Sequence, residues 1–135
     1  MLPVNCGSHA DYQDFVVTHL CKYYPDPDAL ARSTWDIIER FWNLDLSFTD
    51  TFMADKYSKF GPTPRTPSCM QRSYLLSIDF KVTSLTEWAA QLKMNPLYAI
   101  LSGFEPGNTP GVGTFYDFIN RLWNSDYTQF FLKEA

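Results

Sequence analysis

Apolar side chains recur every three or four residues along almost the whole chain, which is the spacing of one face of an α-helix. Residues 112–123 show the pattern well, with Phe115, Ile119 and Leu122 aligned on one side of a helix. The strict alternation of a half-buried strand and long runs of β-branched residues are both missing from the sequence. We therefore predict an all-α fold, a compact bundle of about six to seven helices.

Proline, glycine and capping residues indicate where these helices begin and end. Pro67 suits the first turn of a helix, the Ser84 to Glu87 segment has the capping-box pattern, and Gly103 is a natural left-handed residue at a helix end. The predicted helices cover residues 9–24, 27–43, 47–60, 67–82, 84–93, 95–102 and 112–123, with a last turn or two at 127–132.

Length and composition predict one folded domain. The chain has 135 residues, of which 45% are hydrophobic and 17% aromatic, far too apolar for a disordered segment. Within that domain we distinguish N-terminal helices at 1–60, a proline-rich linker at 61–67 and a helical region at 68–135. The linker is the clearest internal boundary.

Charge and cysteine content limit the classes of partner and compartment. Eleven Lys and Arg against fifteen Asp and Glu give a net charge of −4, which argues against broad binding to the DNA backbone but permits a few well-placed contacts. The three cysteines suggest neither a disulfide framework nor a zinc site, so we predict a reducing, cytoplasmic location. The apolar runs are too short for a membrane span, and the N-terminus lacks signal-peptide features.

The second half of the chain resembles the helical N-terminal domain of bacterial DDE-type insertion-sequence transposases. The resemblance covers about residues 65–123 and depends on the order and spacing of many residues, while residues 1–60 match more loosely. Residues 67–80 stand where the family has a long helix before its specificity region. The positions that follow the family pattern are Leu85, Leu92, Asn95, Leu101, Gly103, Phe104, Pro110, Thr114, Phe115, Phe118, Arg121 and Leu122.

The resemblance implies a non-catalytic role in DNA transposition. In the intact enzyme such a domain precedes an RNase H-like core, where two Asp and a Glu hold divalent metal for strand cleavage and transfer. No such core follows in this sequence, so we expect a chain without chemistry or cofactor of its own, either a piece cut at a domain boundary or a truncated gene product. Its expected partners are the DNA of the element ends, the transposase catalytic domain or a second copy of itself.

Two sets of residues are candidates for DNA contact. The predicted helices at 84–93, 95–102 and 112–123 would form a unit of helix-turn-helix type, with the side chains of Lys93, Asn95, Thr114, Asn120 and Arg121 as hydrogen-bond donors. The densest basic zone of the chain consists of Lys56, Lys59, Arg65 and Arg72. Alternatively, all nine are ordinary solvated residues of a packing domain.

Other patterns favour structural roles. The aromatic residues of the first half lie at helical spacing, which favours core packing over base stacking. His9 and His19 have no partner residues at metal-ligand spacing, and we predict no metal site. The alternative function is a helical protein–protein interaction or dimerisation module that makes no contact with DNA.

Overall fold

The computed structural model describes residues 8–53 and 65–123 and is all-helical, with no strand in either range. The prediction of an all-α bundle is confirmed. The seven α-helices in the described residues are α1 (His9–Tyr23), α2 (Arg32–Asn43), α3 (Phe48–Met53), α4 (Pro67–Asp79), α5 (Leu85–Met94), α6 (Pro96–Ser102) and α7 (Val112–Trp123).

The segment between α1 and α2 differs from the continuous helix predicted over 27–43. Pro27–Ala29 forms a separate 3-10 turn, in which the Asp26 carboxylate accepts a hydrogen bond from the Asp28 N–H at 3.0 Å. Leu30 and Ala31 then adopt extended backbone conformations, so α2 begins only at Arg32. The local turn competes with the helix here because an aspartate side chain satisfies backbone donors outside a helix.

The helix α4 ends at Asp79, three residues before the predicted end at 82. Lys81 adopts a left-handed backbone conformation with φ 60°, and the Val82 N–H donates to the Ser77 carbonyl at 2.9 Å. A glycine normally occupies this left-handed position at the end of a helix. Because a lysine stands here instead, the sequence carries no signal that the helix ends at Asp79. The predicted third helix, 47–60, is observed as α3, and residues 54–60 lie outside the described residues, as does the predicted turn at 127–132.

The predicted caps of the last helices are largely present. Ser84 Oγ accepts from the Glu87 N–H at 3.4 Å, but the Glu87 carboxylate accepts from Gln91 Nε2 at 3.2 Å, so the interaction expected between Glu87 and the cap amide is replaced. Gly103 closes α6 with a φ of 100°, as predicted. The bounds of α7 are those predicted from the periodicity.

The core is centred on α4 and α6, which pack against each other and are covered by the remaining helices. α1 and α2 lie against α6, α3 lies against α4, and α5 and α7 complete the bundle. Apolar residues from both halves of the chain share this core, including Tyr12, Val16, Ile38, Met70, Leu76, Trp88, Ile100, Leu101, Phe115 and Phe118. The two halves therefore pack around one interior.

Candidate functional site

The predicted three-helix unit is built from α5, α6 and α7, which contact each other through α5. Asn95 alone separates α5 from α6, and its side-chain oxygen caps α6 by accepting from the Leu97 N–H at 3.0 Å. The Tyr24 hydroxyl at the end of α1 accepts from the same N–H at 3.2 Å. Asn95 therefore has a structural role in joining α5 to α6, and this role accounts for an asparagine at this position without any contact to DNA.

The loop between α6 and α7 is held by contacts from three directions. Phe104 and Pro110 are buried, and Arg65 donates to the backbone carbonyl and the side-chain oxygen of Asn108 at 2.8 and 3.0 Å. On the α1 side, His19 Nε2 lies 3.2 Å from a Glu105 carboxylate oxygen. These contacts fix the loop, and they also fix the direction in which α7 leaves it.

The outer surface of α7 carries most of the accessible polar candidates. Thr114, Asp117 and Arg121 lie on one stripe because they are spaced three and four residues apart, and Asn120 lies beside them. Thr114 and Asn120 are exposed, and Arg121 Nε lies 2.9 Å from the Asp117 carboxylate. An exposed ion pair of this kind is weak, so a phosphate can compete for Arg121.

Lys93 is exposed near the end of α5 and adds a second cation to the three-helix unit. Lys56 and Lys59 lie outside the described residues. Of the described candidates, then, Lys93, Thr114, Asn120 and Arg121 remain accessible to a ligand.

Arg72 occupies a position that the sequence did not reveal. Arg72 is only 2% exposed, and its guanidinium carbon lies 3.6 Å from the centre of the Tyr12 ring. The Tyr12 hydroxyl in turn donates to the Leu101 carbonyl at 2.7 Å. The burial of Arg72 is incompatible with the surface DNA contact expected from the sequence, because a guanidinium packed between α1 and α4 has no path to a phosphate.

Arg65 is a partly buried connector. Besides its two hydrogen bonds to Asn108, its guanidinium lies 5.7 Å from the Phe104 ring centre. Burial lowers the pKa of Arg65, with a smaller opposing effect from Cys69. The side chain anchors the α6–α7 loop to the start of α4, so of the predicted basic zone neither described arginine is a free surface cation.

A carboxylate from α3 supplies the electrostatic cap of α4. The Asp50 carboxylate accepts from the Ser68 N–H at 2.8 Å and from the Ser68 hydroxyl at 2.9 Å. Burial raises the pKa of Asp50, and the two hydrogen bonds from Ser68 oppose that rise. The cap reaches across eighteen residues of sequence, which is why local pattern reasoning missed it.

A groove of about 670 Å³, with both apolar and polar residues in its lining, lies between α4 and α7 and was not predicted. Ile78 and Tyr116 line it while remaining 58% and 53% exposed. Lys81 is the only charged residue among the described residues that line it. Tyr116 follows the buried Phe115 in α7 and lies at the edge of the helix's apolar face, which accounts for its exposure.

A second groove, of about 310 Å³, lies between α1 and α2. Its apolar lining is Val16, Val17, Leu20, Trp35, Ile38 and Trp42, and the acidic residues Asp36 and Glu39 also line it. The helical spacing of the aromatic residues in the first half favoured core packing, but Trp35 is 36% exposed, and Val17 on the facing helix is 51% exposed. The outermost members of a wide apolar stripe are the ones left uncovered.

The described residues contain no group of three or more His, Cys, Asp or Glu side chains arranged to hold a metal ion. Within the same ranges, none of the helices has the length and hydropathy needed to cross a membrane. Cys21 is exposed, whereas Cys69 is buried and its thiol donates to the Gly103 carbonyl at 3.8 Å. Comparison of the chain with models of protein families, with curated proteins and with solved structures finds no match.

Proposed function

We propose that this chain is the helical N-terminal domain of a DDE transposase, and that it assists binding of the element's terminal DNA during transposition. The observation that carries the proposal is the placement of accessible polar residues on α7 within a firmly anchored three-helix unit. In this proposal the domain contributes no chemistry, and strand cleavage belongs to a separate catalytic core with its own divalent metal.

The resemblance gains support from what its residues do in the fold. Leu92, Leu101 and Phe104 are buried, and Gly103 has the left-handed conformation that a side chain would strain. Phe115 and Phe118 are the buried anchors of α7. Several residues of the family pattern thus lie in the core at α5, α6 and α7, which the proposal requires.

The surface of the unit favours few, specific DNA contacts. Thr114, Asn120 and Arg121 can each donate a hydrogen bond to a base edge or a phosphate, and Lys93 can neutralise a phosphate. With Arg65 and Arg72 engaged inside the protein, the described residues lack a broad basic footprint. This fits a domain with a net charge of −4 that adds sequence readout to an assembly.

The test is fluorescence anisotropy with a labelled duplex of the element's terminal repeat, measured over a salt series. With Lys93 and Arg121 as the accessible cations, we expect log K against log salt to have a slope of about −2. The double variant Asn120→Ala/Arg121→Ala should weaken binding at least about tenfold, since base contacts contribute about 1–3 kcal/mol each.

Arg32→Ala is the matched control, because Arg32 is an exposed cation at the start of α2, on another helix. It should leave affinity for the terminal repeat unchanged. Absence of binding at low salt, or equal affinity for the repeat and a scrambled duplex, would contradict the proposal. An equal loss of affinity in Arg32→Ala would mean that the double variant binds more weakly only because the net charge of the protein has changed.

A second candidate function is a dimerisation module, and the groove between α4 and α7 favours it. Ile78 and Tyr116 expose apolar surface there, and the lining has no acidic side chain among the described residues. Two copies of an acidic chain can therefore approach through this face without a direct clash of carboxylates. We propose a second copy of this chain as the occupant.

Sedimentation equilibrium tests this candidate. Ile78→Lys and Tyr116→Lys should each shift the monomer–dimer equilibrium towards monomer by at least about tenfold, because each places a charge in the apolar contact. Met94→Lys is the control, since Met94 is 82% exposed but does not line the groove. A chain that remains monomeric at all concentrations would exclude this function.

A further inference from the structure

The groove between α1 and α2 combines an apolar floor with an acidic edge. Val17 and Trp35, on opposite sides of the groove, are exposed in part, while Leu20 and Ile38 close its floor. Its volume of about 310 Å³ lies at the lower limit of the ~300–1,000 Å³ typical of ligand pockets. An open trough between two helices matches the side chains of a third helix better than it encloses a small molecule.

The acidic edge is formed by Asp36 and Glu39, which are both exposed and both line the groove. Neither carboxylate has a hydrogen bond or ion pair within the described residues. The neighbouring cation on α2, Arg40, is turned away from this groove towards α4, where its guanidinium lies 2.7 Å from the Asp79 carboxylate. The groove thus presents two carboxylates that form no ion pair within the described residues, beside exposed apolar surface.

The wall of the groove also contains a buried polar group, the Trp42 indole N–H. The Trp42 indole nitrogen is buried and has no hydrogen-bond partner among the described residues, although the Trp42 backbone carbonyl accepts from Gln13 Nε2 at 2.9 Å. By contrast, the Trp35 indole donates to the Pro27 carbonyl at 3.0 Å. Buried donors are normally paired, so the Trp42 N–H is an unusual feature of this wall, although it is enclosed and not exposed to an occupant of the groove.

We propose that this groove binds an amphipathic helix of a partner protein, with aliphatic side chains on the contacting face and lysine or arginine beside them. The aliphatic side chains would cover Val17 and Trp35, and the basic side chains would pair with Asp36 and Glu39. Charge complementarity selects this occupant over a second copy of the same acidic chain and over nucleic acid. The inference does not depend on the proposed function, because it concerns a different face of the bundle.

The tryptophans serve as built-in reporters of binding. Trp35 and Trp42 line the groove, whereas Trp88 is fully buried elsewhere in the core. In a two-dimensional ¹⁵N–¹H spectrum, occupancy should shift the indole signals of Trp35 and Trp42 and leave that of Trp88 in place. The Trp35→Phe variant assigns the Trp35 signal.

The probe is a synthetic peptide of about fifteen residues, with leucines at i, i+4 and i+7 and lysines beside them. A matched peptide carries glutamates in place of the lysines, and neither contains tryptophan. Titration at low salt should give saturable shifts with the lysine peptide and binding at least about tenfold weaker with the glutamate peptide. The double variant Asp36→Lys/Glu39→Lys should reverse this preference.

Both carboxylates are exposed, so circular dichroism should show that the reversed variant keeps its helices. If it unfolds, Asp36→Asn/Glu39→Gln provides the same test by removing the charge, with at least about tenfold weaker binding of the lysine peptide expected. The proposal is overturned if the lysine peptide does not bind, or if both peptides bind equally. It is also overturned if the shifts occur at Trp88 without Trp35 and Trp42, or if the charge variants bind unchanged.

Discussion

The helices before and after the proline-rich segment use their side chains differently. In α2, two of twelve residues are buried, both of them apolar, and its outer face is polar in the usual amphipathic way. In α4, eight of thirteen residues are buried, including Ser68, Arg72, Ser73 and Ser77. In α2 one face covers the core, whereas most of α4 lies inside it.

This difference changes how the core is stabilised. Buried polar groups are normally paired, and in the second half two of the pairs join different helices. The Trp88 indole donates to the Ser73 hydroxyl at 2.9 Å, and the Ser68 hydroxyl donates to Asp50 at 2.9 Å. We therefore expect substitutions in α4–α7 to cost more than comparable substitutions in α1–α3.

Replacing equal side chains in the two halves should give the largest contrast. Trp88→Ala removes a fully buried side chain that also stacks on Tyr98 at a ring distance of 5.1 Å, so the free energy of unfolding should fall by about 3–5 kcal/mol. Trp35→Ala, at a position 36% exposed, should cost less than half as much. Urea denaturation measures both, and equal losses would remove the distinction between the halves.

Substitution of Arg72 tests whether its charge or its volume stabilises α4. Arg72→Ala should lower the free energy of unfolding by about 2–4 kcal/mol, because it leaves a cavity beside Tyr12. Arg72→Met, which retains much of the volume, should cost less than about 1 kcal/mol, since within the described residues the buried guanidinium has no direct ion pair with a carboxylate. A loss in Arg72→Met equal to that in Arg72→Ala would show that the guanidinium itself is required.

Two aspartates near α3 should contribute to stability with opposite dependence on pH. The pKa of Asp50 is raised by burial, so its contribution to stability is complete below 3.8 and is lost as the pH rises through the folded value. The pKa of Asp45 is lowered by hydrogen bonds from Ser47, so its contribution is present above 3.8 and is lost as the pH falls through the folded value.

Denaturation of wild type, Asp50→Asn and Asp45→Asn from pH ~2 to ~7 separates the two effects. Relative to Asp50→Asn, the wild type should lose stability as the pH rises above 3.8, and relative to Asp45→Asn it should lose stability as the pH falls below 3.8. If the wild type changed in stability with pH in the same direction relative to both variants, Asp50 would not be acting as the buried cap of α4.

The smallest expected effect is at the end of α4. Lys81 has a left-handed backbone conformation that glycine adopts without strain, so Lys81→Gly should raise the free energy of unfolding by about 0.5–1 kcal/mol. Thermal denaturation is the measurement, and Thr83→Gly, an exposed position in the same connection, is the control expected to bring no gain. Destabilisation by Lys81→Gly would mean that the lysine side chain makes a compensating contact.

Most of the fold could be predicted from local patterns, whereas much of the candidate site could not. Periodicity and capping residues located α5, α6 and α7 closely, since Ser84, Asn95 and Gly103 act on backbone groups a few residues away. The positions of the grooves, and whether each arginine is buried or exposed, depend on which helices pack against each other. The sequence offers no local signal that Tyr12 covers Arg72, because sixty residues separate them.

The sequence by itself determined the all-α class, the helix ends marked by Pro67 and Gly103, and the apolar face of α7, because these follow from backbone geometry and nearby side chains. The tertiary structure decided which polar residues remain available to a partner. It buried Arg72, tied Arg65 to Asn108, and left Thr114 and Asn120 on the surface. Availability is a property of packing between distant helices, where a buried charge or donor must find its partner across the core.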